Sequence, residues 1–585
     1  MCWRRLLTTI GLMSIAQHSL AAPTCDRAST PTANIQNGSL VGAHNEQYNQ
    51  DFFLGIPYAQ PPVDDLCFKP PQPINHTWQD KQVTAYGDWC MQAELGLPGF
   101  SFANYTPPQS EDCLTLNVVR PTGVNNYSSL PVFLWIHGGA LSSGSAIDQR
   151  YNMSFIVEES VAMGLPIIGV SINYRLNGFG FLAGSEVLQE GVANLGYRDQ
   201  RLALQWVQEN IASFGGDPEK VTIAGESSGA NSVGQHFTAY GGRDDGLFRA
   251  GVAESGGPLS AEVLLPIDVQ DQTYRQVLRS TNCTNANDTL ECLRRLPVDV
   301  LTAAFRNGGS YLPVIDGDFI MDYAYNQIEQ GRFVKRPLLI GNNRNEGTSF
   351  IVQSGVEGAD STGDILSIVR SFDQGAPGVS NDTLDVVSEA YATSLTDQQV
   401  LDGLGTVSPD PGVGYGPFFG RAAIYVGDFF FNAARRFTCE RWFEEGAPAY
   451  SYHFYAVPNG VNETIFGATH FQEVAFVFRN YLGVGYENVL NTTGLPLVSN
   501  DAMMQREYHD LSSLMSRMWV SFVSTLTPND NRVVGFDTVW PSYSNATPVN
   551  MAFHLNESTL EQDDFRPQAI DLITSFYDVF RYKRA

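Results

Sequence analysis

Positive charge is scarce in this chain. Against 62 Asp and Glu there are 35 Lys and Arg, a formal charge of −27 over 585 residues. With no basic field to gather phosphates, the composition argues against nucleic acid or an anionic membrane surface as partner. Long apolar runs are lacking too. Beyond the first residues no stretch approaches the ~20 uninterrupted apolar positions of a spanning helix, and the C-terminal FYDVFRYKRA has no hydrophobic tail for a lipid anchor. Repeats, low-complexity tracts and long charge runs are absent, and the Gly/Pro-rich patches at 371–380 and 405–418 read as loops rather than linkers. Hydrophobic residues nevertheless make up 43% of the chain and aromatic ones 12%, enough for a large core.

The first residues, MCWRRLLTTIGLMSIAQHSLAA, place Arg4 and Arg5 before an apolar stretch and small residues at Ser19 and Ala21. That layout predicts a secretory signal over 1–21 and a secreted mature chain over 22–585. Asn-x-Ser/Thr sequons at Asn37, Asn75, Asn104, Asn126, Asn152, Asn282, Asn287, Asn381, Asn462, Asn491, Asn545 and Asn556 are candidate glycosylation sites on that route. Cysteine is sparse, with 8 in all including Cys2 in the leader. In an oxidising compartment the short spacings Cys90 to Cys113 and Cys283 to Cys292 are natural disulfides, Cys25 with Cys67 is a third possibility, and Cys439 is left as a buried free thiol.

Residues 221–230 read VTIAGESSGA, a β-branched and apolar run followed by the only Gly-x-Ser-x-Gly in the chain. A Ser on a tight strand-to-helix turn is forced into sparsely allowed backbone space, and Gly225 and Gly229 stand where a Cβ would collide with neighbouring backbone. The strand-like Val221 to Ala224 and the Pro-free run from Ser228 to Tyr240 supply the setting of a nucleophile elbow, with Ser227 as candidate nucleophile. A hydroxyl needs a base, an orienter for that base, and donors for the oxyanion its attack creates. For the donors, PVFLWIHGGALSSGS (131–145) reads as an apolar strand running into a His-Gly-Gly turn, which directs backbone N–H groups at developing charge; a plain strand-end turn is the bland alternative. The candidate pieces are scattered from 137 to 470 and must meet in one site, which predicts a single domain over 22–585.

A longer series of segments carries a resemblance. FLGIPYAQPPVDDLCFKPP (53–71), SEDCLTLNV (110–118), the HGGA loop, INYRLNGFGFL (172–182), the run from Asn194 through the elbow, VAESGGP (252–258), PVIDGDF (313–319), IGNNRNEGTSF (340–350), GATHFQEVAFVF (467–478) and WPSY (540–543) resemble, in order, the type-B carboxylesterase and lipase family, which includes the cholinesterases. The resemblance implies an α/β-hydrolase fold: a central, mostly parallel twisted sheet flanked by helices, with large loop and helical insertions. It maps the nucleophile to Ser227, the triad acid to Glu346 and the base to His470, in the family's chain order. It maps the oxyanion donors to the backbone N–H groups of Gly139, Ala140 and Ser228. Among the His that follow Glu346, elimination agrees: His453 lies in a strand-like AYSYHFYAV, His509 in a polar helical stretch and His554 in the tail, whereas His470 follows a Gly-containing turn.

The chain departs from the family pattern in several places. Ala140 and Ser228 stand where Gly and Ala are frequent, and their side chains are expected to narrow the site around the acyl carbon. Cys67 replaces an Arg that usually pairs with the Glu of the SEDC segment, so Glu111 either finds another partner or stays hydrated. Glu226 matches the family and reads as a buried structural acid. The loop between Cys90 and Cys113 corresponds to the family's lid; with Leu95, Leu97, Phe100 and Phe102 as its apolar group it is expected to have few anchors and to cover the pocket only partly. It holds no Trp, the surface on which the cholinesterases stack choline, which argues against a quaternary-ammonium substrate.

The implied activity is hydrolysis of a carboxylic ester through an acyl-enzyme, on short- to medium-chain or small-molecule esters, with no metal or cofactor. Alternatives are a lipase or sterol esterase acting on long-chain esters, and an esterase or acyltransferase dedicated to one natural product. A noncatalytic adhesion protein of the same fold is disfavoured, because Ser227, Glu346 and His470 are all present.

Overall fold

The computed structural model describes residues 30–103, 105–259, 264–306, 309–354, 359–372, 381–412 and 414–575. The predicted leader, Cys25 and the sequon at Asn104 lie outside them.

Eleven strands form the main sheet: β1 (Ala43–Asn45), β2 (Gln50–Pro57), β3 (Thr115–Pro121), β4 (Leu130–Ile136), β5 (Ile168–Ile172), β6 (Gly216–Glu226), β7 (Ala250–Glu254), β8 (Leu338–Asn343), β9 (Ala449–Phe454), β10 (Val549–Phe553) and β11 (Thr559–Gln562). Their order across the sheet is β11-β10-β9-β8-β7-β6-β4-β5-β3-β2-β1. From β5 through β4 to β10 every neighbour is parallel, and antiparallel pairs close both edges. This is the α/β-hydrolase fold.

The central strands are buried on both faces, as parallel strands covered by helices must be. Along β4, Val132, Leu134 and Ile136 belong to the core on one face, while Phe133 and Trp135 belong to the core on the other. The helix Leu195–Asn210 packs with the first core, and the long helix Ala502–Thr525, capped by Asp501 at Met503 and Met504 N–H, packs with the second.

The strand order reverses at β4, which lies between β5 and β6. In parallel sheets such a reversal leaves a crevice at the carboxyl ends of the strands. The register pairs Gly225 of β6 with Ile136 of β4. The two chain segments that leave those ends, the elbow and the His137–Ala140 loop, therefore emerge side by side.

Cys90 is bonded to Cys113 at an S–S distance of 2.04 Å and Cys283 to Cys292 at 2.05 Å. Cys67 and Cys439 carry buried thiols. Cys67 Sγ lies 3.9 Å from Glu111 Oε1, so the thiol stands in for the missing Arg as the partner of Glu111. Burial, with Asp64 nearby, pushes the Glu111 carboxyl up from the ordinary range. Of the sequons, Asn75, Asn126, Asn282, Asn287, Asn462, Asn491, Asn545 and Asn556 are exposed, Asn37 and Asn152 are half-buried, and Asn381 begins a helix. Asn152 also caps the helix Met153–Ala162 by accepting from Ser154 N–H.

Candidate active site

Strand β6 ends at Glu226, and Ser227 follows with φ 55° and ψ −126°, a combination that L-residues rarely adopt. Helix Ser228–Gly242 starts at the next residue, leaving Ser227 half-buried at the strand end. The two glycines of the motif are needed for close approach. A Cβ on Gly225 would lie 2.5 Å from the carbonyl carbon of Gly229, and one on Gly229 would lie 2.1 Å from Ile136 O.

The loop after β4 is tied to this elbow. Ser228 Oγ accepts from Leu141 N–H at 3.2 Å. The Ser228 side chain is therefore committed to holding the loop, which corrects the expectation that it narrows the acyl site. Gly139 and Ala140 have positive φ, and Gly139 O accepts from Ser142 and Ser143 N–H. The loop is thus turned back on itself, and Ala140 is exposed on it.

Glu346 follows β8 in a turn whose backbone holds the carboxylate: Asn343 N–H donates to Glu346 Oε1 at 2.7 Å. The His470 turn is laced onto the same segment. Asn345 N–H donates to Ala468 O at 2.9 Å, Asn343 Nδ2 donates to Thr469 O at 2.8 Å, and Thr348 Oγ1 donates to Thr469 Oγ1 at 2.8 Å. These bonds bring His470 Nδ1 to 2.6 Å from Glu346 Oε2 across 124 residues of sequence. A carboxylate at Nδ1 favours the proton there and leaves a lone pair on Nε2. Rings of Phe350 and Phe431 lie 5.0 and 5.1 Å from the imidazole. Nε2 has no hydrogen-bond partner, from Ser227 or from any other described residue. In unliganded sites such contacts are often loose.

Two residues that the motifs did not single out complete the surroundings. Ser255, just beyond β7, donates to Glu346 Oε1 at 2.6 Å and lies 3.2 Å from Glu473 Oε1. Glu473 also accepts from Asn343 Nδ2. Their signal was present but unused: Ser255 sits in VAESGGP, at the end of the strand between those of the elbow and of Glu346, and Glu473 lies one turn from His470. Glu226 is buried, both its carboxyl oxygens lack hydrogen bonds, and Oε1 lies 3.3 Å from His470 Nε2. Burial, then Glu473, Glu346 and Glu254, hold its carboxyl well above the usual range.

The same crowding raises Glu473 to about 7, through burial first and Glu346 second. Between an unfolded pKa of about 4.3 and that value the folded chain holds a proton the unfolded chain has lost, so this group's contribution to stability falls as pH rises. Glu473→Gln is expected to remove that fall. Urea midpoints of mutant and native enzyme should diverge in the mutant's favour from pH 5 to pH 8, and parallel curves would exclude the effect.

Ser227, Gly139, Ala140, His470 and Glu226 line one cavity of about 60 Å³, closed by Leu95, Leu97 and Phe100 of the Cys90–Cys113 loop. A cavity of about 740 Å³ shares Leu95 and Phe100 with the smaller one and is lined further by Trp89, Tyr105 and Leu490, and its lining includes none of Ser227, Glu346 and His470. We place the chemistry in the smaller cavity, because the candidate groups converge there. The loop is better anchored than its sequence suggested. Leu97 and Phe100 are buried, Gly99 and Ala103 N–H donate to Leu490 O and Asn488 O, and Gln472 Nε2 and Ser349 Oγ donate to Gly99 O and Pro98 O. The anchors come from segments hundreds of residues away, while Ser227 beneath the loop remains half-buried.

The model of the carboxylesterase family matches residues 29–569. The chain belongs to that family. It is a carboxylic ester hydrolase. Similar relatives include Lipase 2 of Diutina rugosa, 33% identical over 94% of this chain and 96% of that protein. Secreted lipase 1 of Botryotinia fuckeliana is 31% identical over 98% of both. Among solved structures, EstA of Aspergillus niger superposes with a TM-score of 0.77 at 27% identity, over 95% of this chain and 99% of that one.

The other His that follow Glu346 in the carboxylesterase make different contacts. His453 is buried on β9 with Nδ1 3.1 Å from Glu561 Oε1, His509 stacks on Tyr481 at 4.0 Å, and His554 stacks on Tyr455 at 4.2 Å. Among the described residues no group of His, Cys, Asp and Glu is arranged to hold a metal ion, and no helix is long and apolar enough to cross a membrane.

Proposed function

We propose that the enzyme cleaves its ester through an acyl-enzyme on Ser227. His470 Nε2 takes the hydroxyl proton and returns it to the leaving alcohol, and Glu346 holds the imidazole. The N–H groups of Gly139, Ala140 and Ser228 receive the oxyanion, and water releases the acid. The observation that carries this reading is the pairing of His470 Nδ1 with Glu346 at 2.6 Å, with His470 and Ser227 lining one cavity. Secretion after loss of residues 1–21, as a single domain over 22–585, fits the disulfides and the printed name of the secreted relative.

For the substrate, the size of the cavity favours small acyl groups. One water needs roughly 10–15 Å³ by the same kind of measure, so about 60 Å³ holds an acetyl or propionyl portion and little more. Within the short- to medium-chain class, soluble short-chain esters are therefore the preferred reading. A second reading, a lipase on long-chain esters, has support in the relatives that bear that name. Rate against tributyrin concentration across its saturation point separates them. The expected result is a smooth saturation curve with no jump, since the buried Leu97 and Phe100 give the loop little outward apolar face for an oil surface to stabilise. A steep rise only above saturation would support the lipase reading instead.

A further inference from the structure

Arg150 lies at the junction of three segments that the proposed chemistry requires. It is 1% exposed, in a short turn just beyond the oxyanion loop, and its Nε and Nη2 pair with both oxygens of Asp148 at 2.7–3.1 Å. Its remaining arm, Nη1, donates to the carbonyl of Phe100 in the Cys90–Cys113 loop. Rings surround the guanidinium: Phe100 and Phe102 of that loop at 4.7 and 4.5 Å, Phe471 at 4.5 Å and Tyr486 at 5.9 Å. Phe471 is the residue after His470, held at φ 75°, and its ring meets that of Phe100 edge-on at 4.9 Å.

The site as it stands admits only a small acyl portion, so a larger ester requires the loop to lift. Lifting it leaves the Asp148 pair intact, because both members belong to the same turn. What is lost is the carbonyl of Phe100 and two of the ring faces. We propose that Arg150 is a positioning residue and latch: it holds the Cys90–Cys113 loop down against the His470 turn, and so sets which esters reach Ser227. This rests on the assignment of Ser227 and His470 above. A guanidinium suits the task because its planar fork can engage Asp148 and a carbonyl at once while lying flat between rings, which an ammonium cannot do. Each desolvated cation–π contact is worth enough to shift an equilibrium about tenfold.

Three variants test the latch. Arg150→Lys keeps the charge and the Asp148 pair but loses the fork. The double change Asp148→Asn with Arg150→Met leaves no buried unpaired charge. Phe102→Ala weakens the contact from the loop side alone, so the test survives a misfolded Arg150 variant. In each folded variant, proteolytic cleavage within residues 91–112 should quicken about tenfold. The kcat/KM ratio of p-nitrophenyl octanoate to p-nitrophenyl acetate should rise about tenfold, with kcat on acetate and its pH profile near native. Unchanged cleavage and an unchanged ratio would overturn the proposal. So would a uniform loss of kcat on both esters, which would make Arg150 a support of the His470 turn only. Cleavage is measured without substrate, so it reports on the latch even if Ser227→Ala proves active and the site assignment fails.

Discussion

Ser227→Ala should lose ester hydrolysis by about 10⁴-fold or more in kcat while remaining folded and secreted. The hydroxyl is the atom proposed to form the acyl-enzyme, and Ser227 is the one hydroxyl or thiol side chain among the residues that line the cavity of Leu95, Leu97, Phe100, Phe350 and His470. Its packing role is small: Ser227 is half-buried, and the elbow is held by its backbone, Ser227 N–H donating to Glu254 O and Asn231 N–H to Ser227 O. The residual rate would come from the oxyanion donors and from substrate binding. Turnover of p-nitrophenyl acetate with a matched thermal unfolding curve makes the measurement, and native-level turnover would exclude Ser227 as nucleophile.

His470→Ala should lose about as much as Ser227→Ala, because base and nucleophile act as one unit and their losses do not add. The double mutant should be no slower than either single one. His453→Ala provides the contrast. That ring pairs with Glu561 and stacks on Phe565 at 5.3 Å, so its removal should cost about 1–3 kcal/mol of stability and leave kcat near native. Urea unfolding beside single-turnover kinetics separates the two effects, and the reverse pattern would assign the base to His453.

The elbow was legible because its cause is local. A strand, one strained residue and two glycines facing backbone within a few ångströms follow from steric rules acting over ten residues. The same holds for β4 and β9, whose alternating and apolar patterns marked them as strands. Glu346 and His470 were placed through the family's motif order, and elimination alone left their pairing to be inferred. Expectations failed where the partner lay far along the chain. The Cys90–Cys113 loop looked sparsely anchored because Leu490, Asn488, Gln472 and Ser349 cannot be assigned to it from its own residues. Ser228 looked like a wall of the acyl site because nothing in GESSG indicates that its hydroxyl turns to Leu141.

By itself, then, the sequence determined the candidate nucleophile and the strand-turn-helix that exposes it, a short-range consequence of residue type and spacing, and through the order of its motifs the class of chemistry. Only the tertiary structure decided which carboxyls crowd His470, how small the space beside Ser227 is, and what fastens the loop above it. Those follow from the strand order: the reversal at β4 sets β6 beside it, and β7 and β8 follow outward in parallel, which brings the turns at Ser227, Ser255 and Glu346 to one end of the sheet. A contact formed across hundreds of residues depends on that order, and no local pattern encodes it.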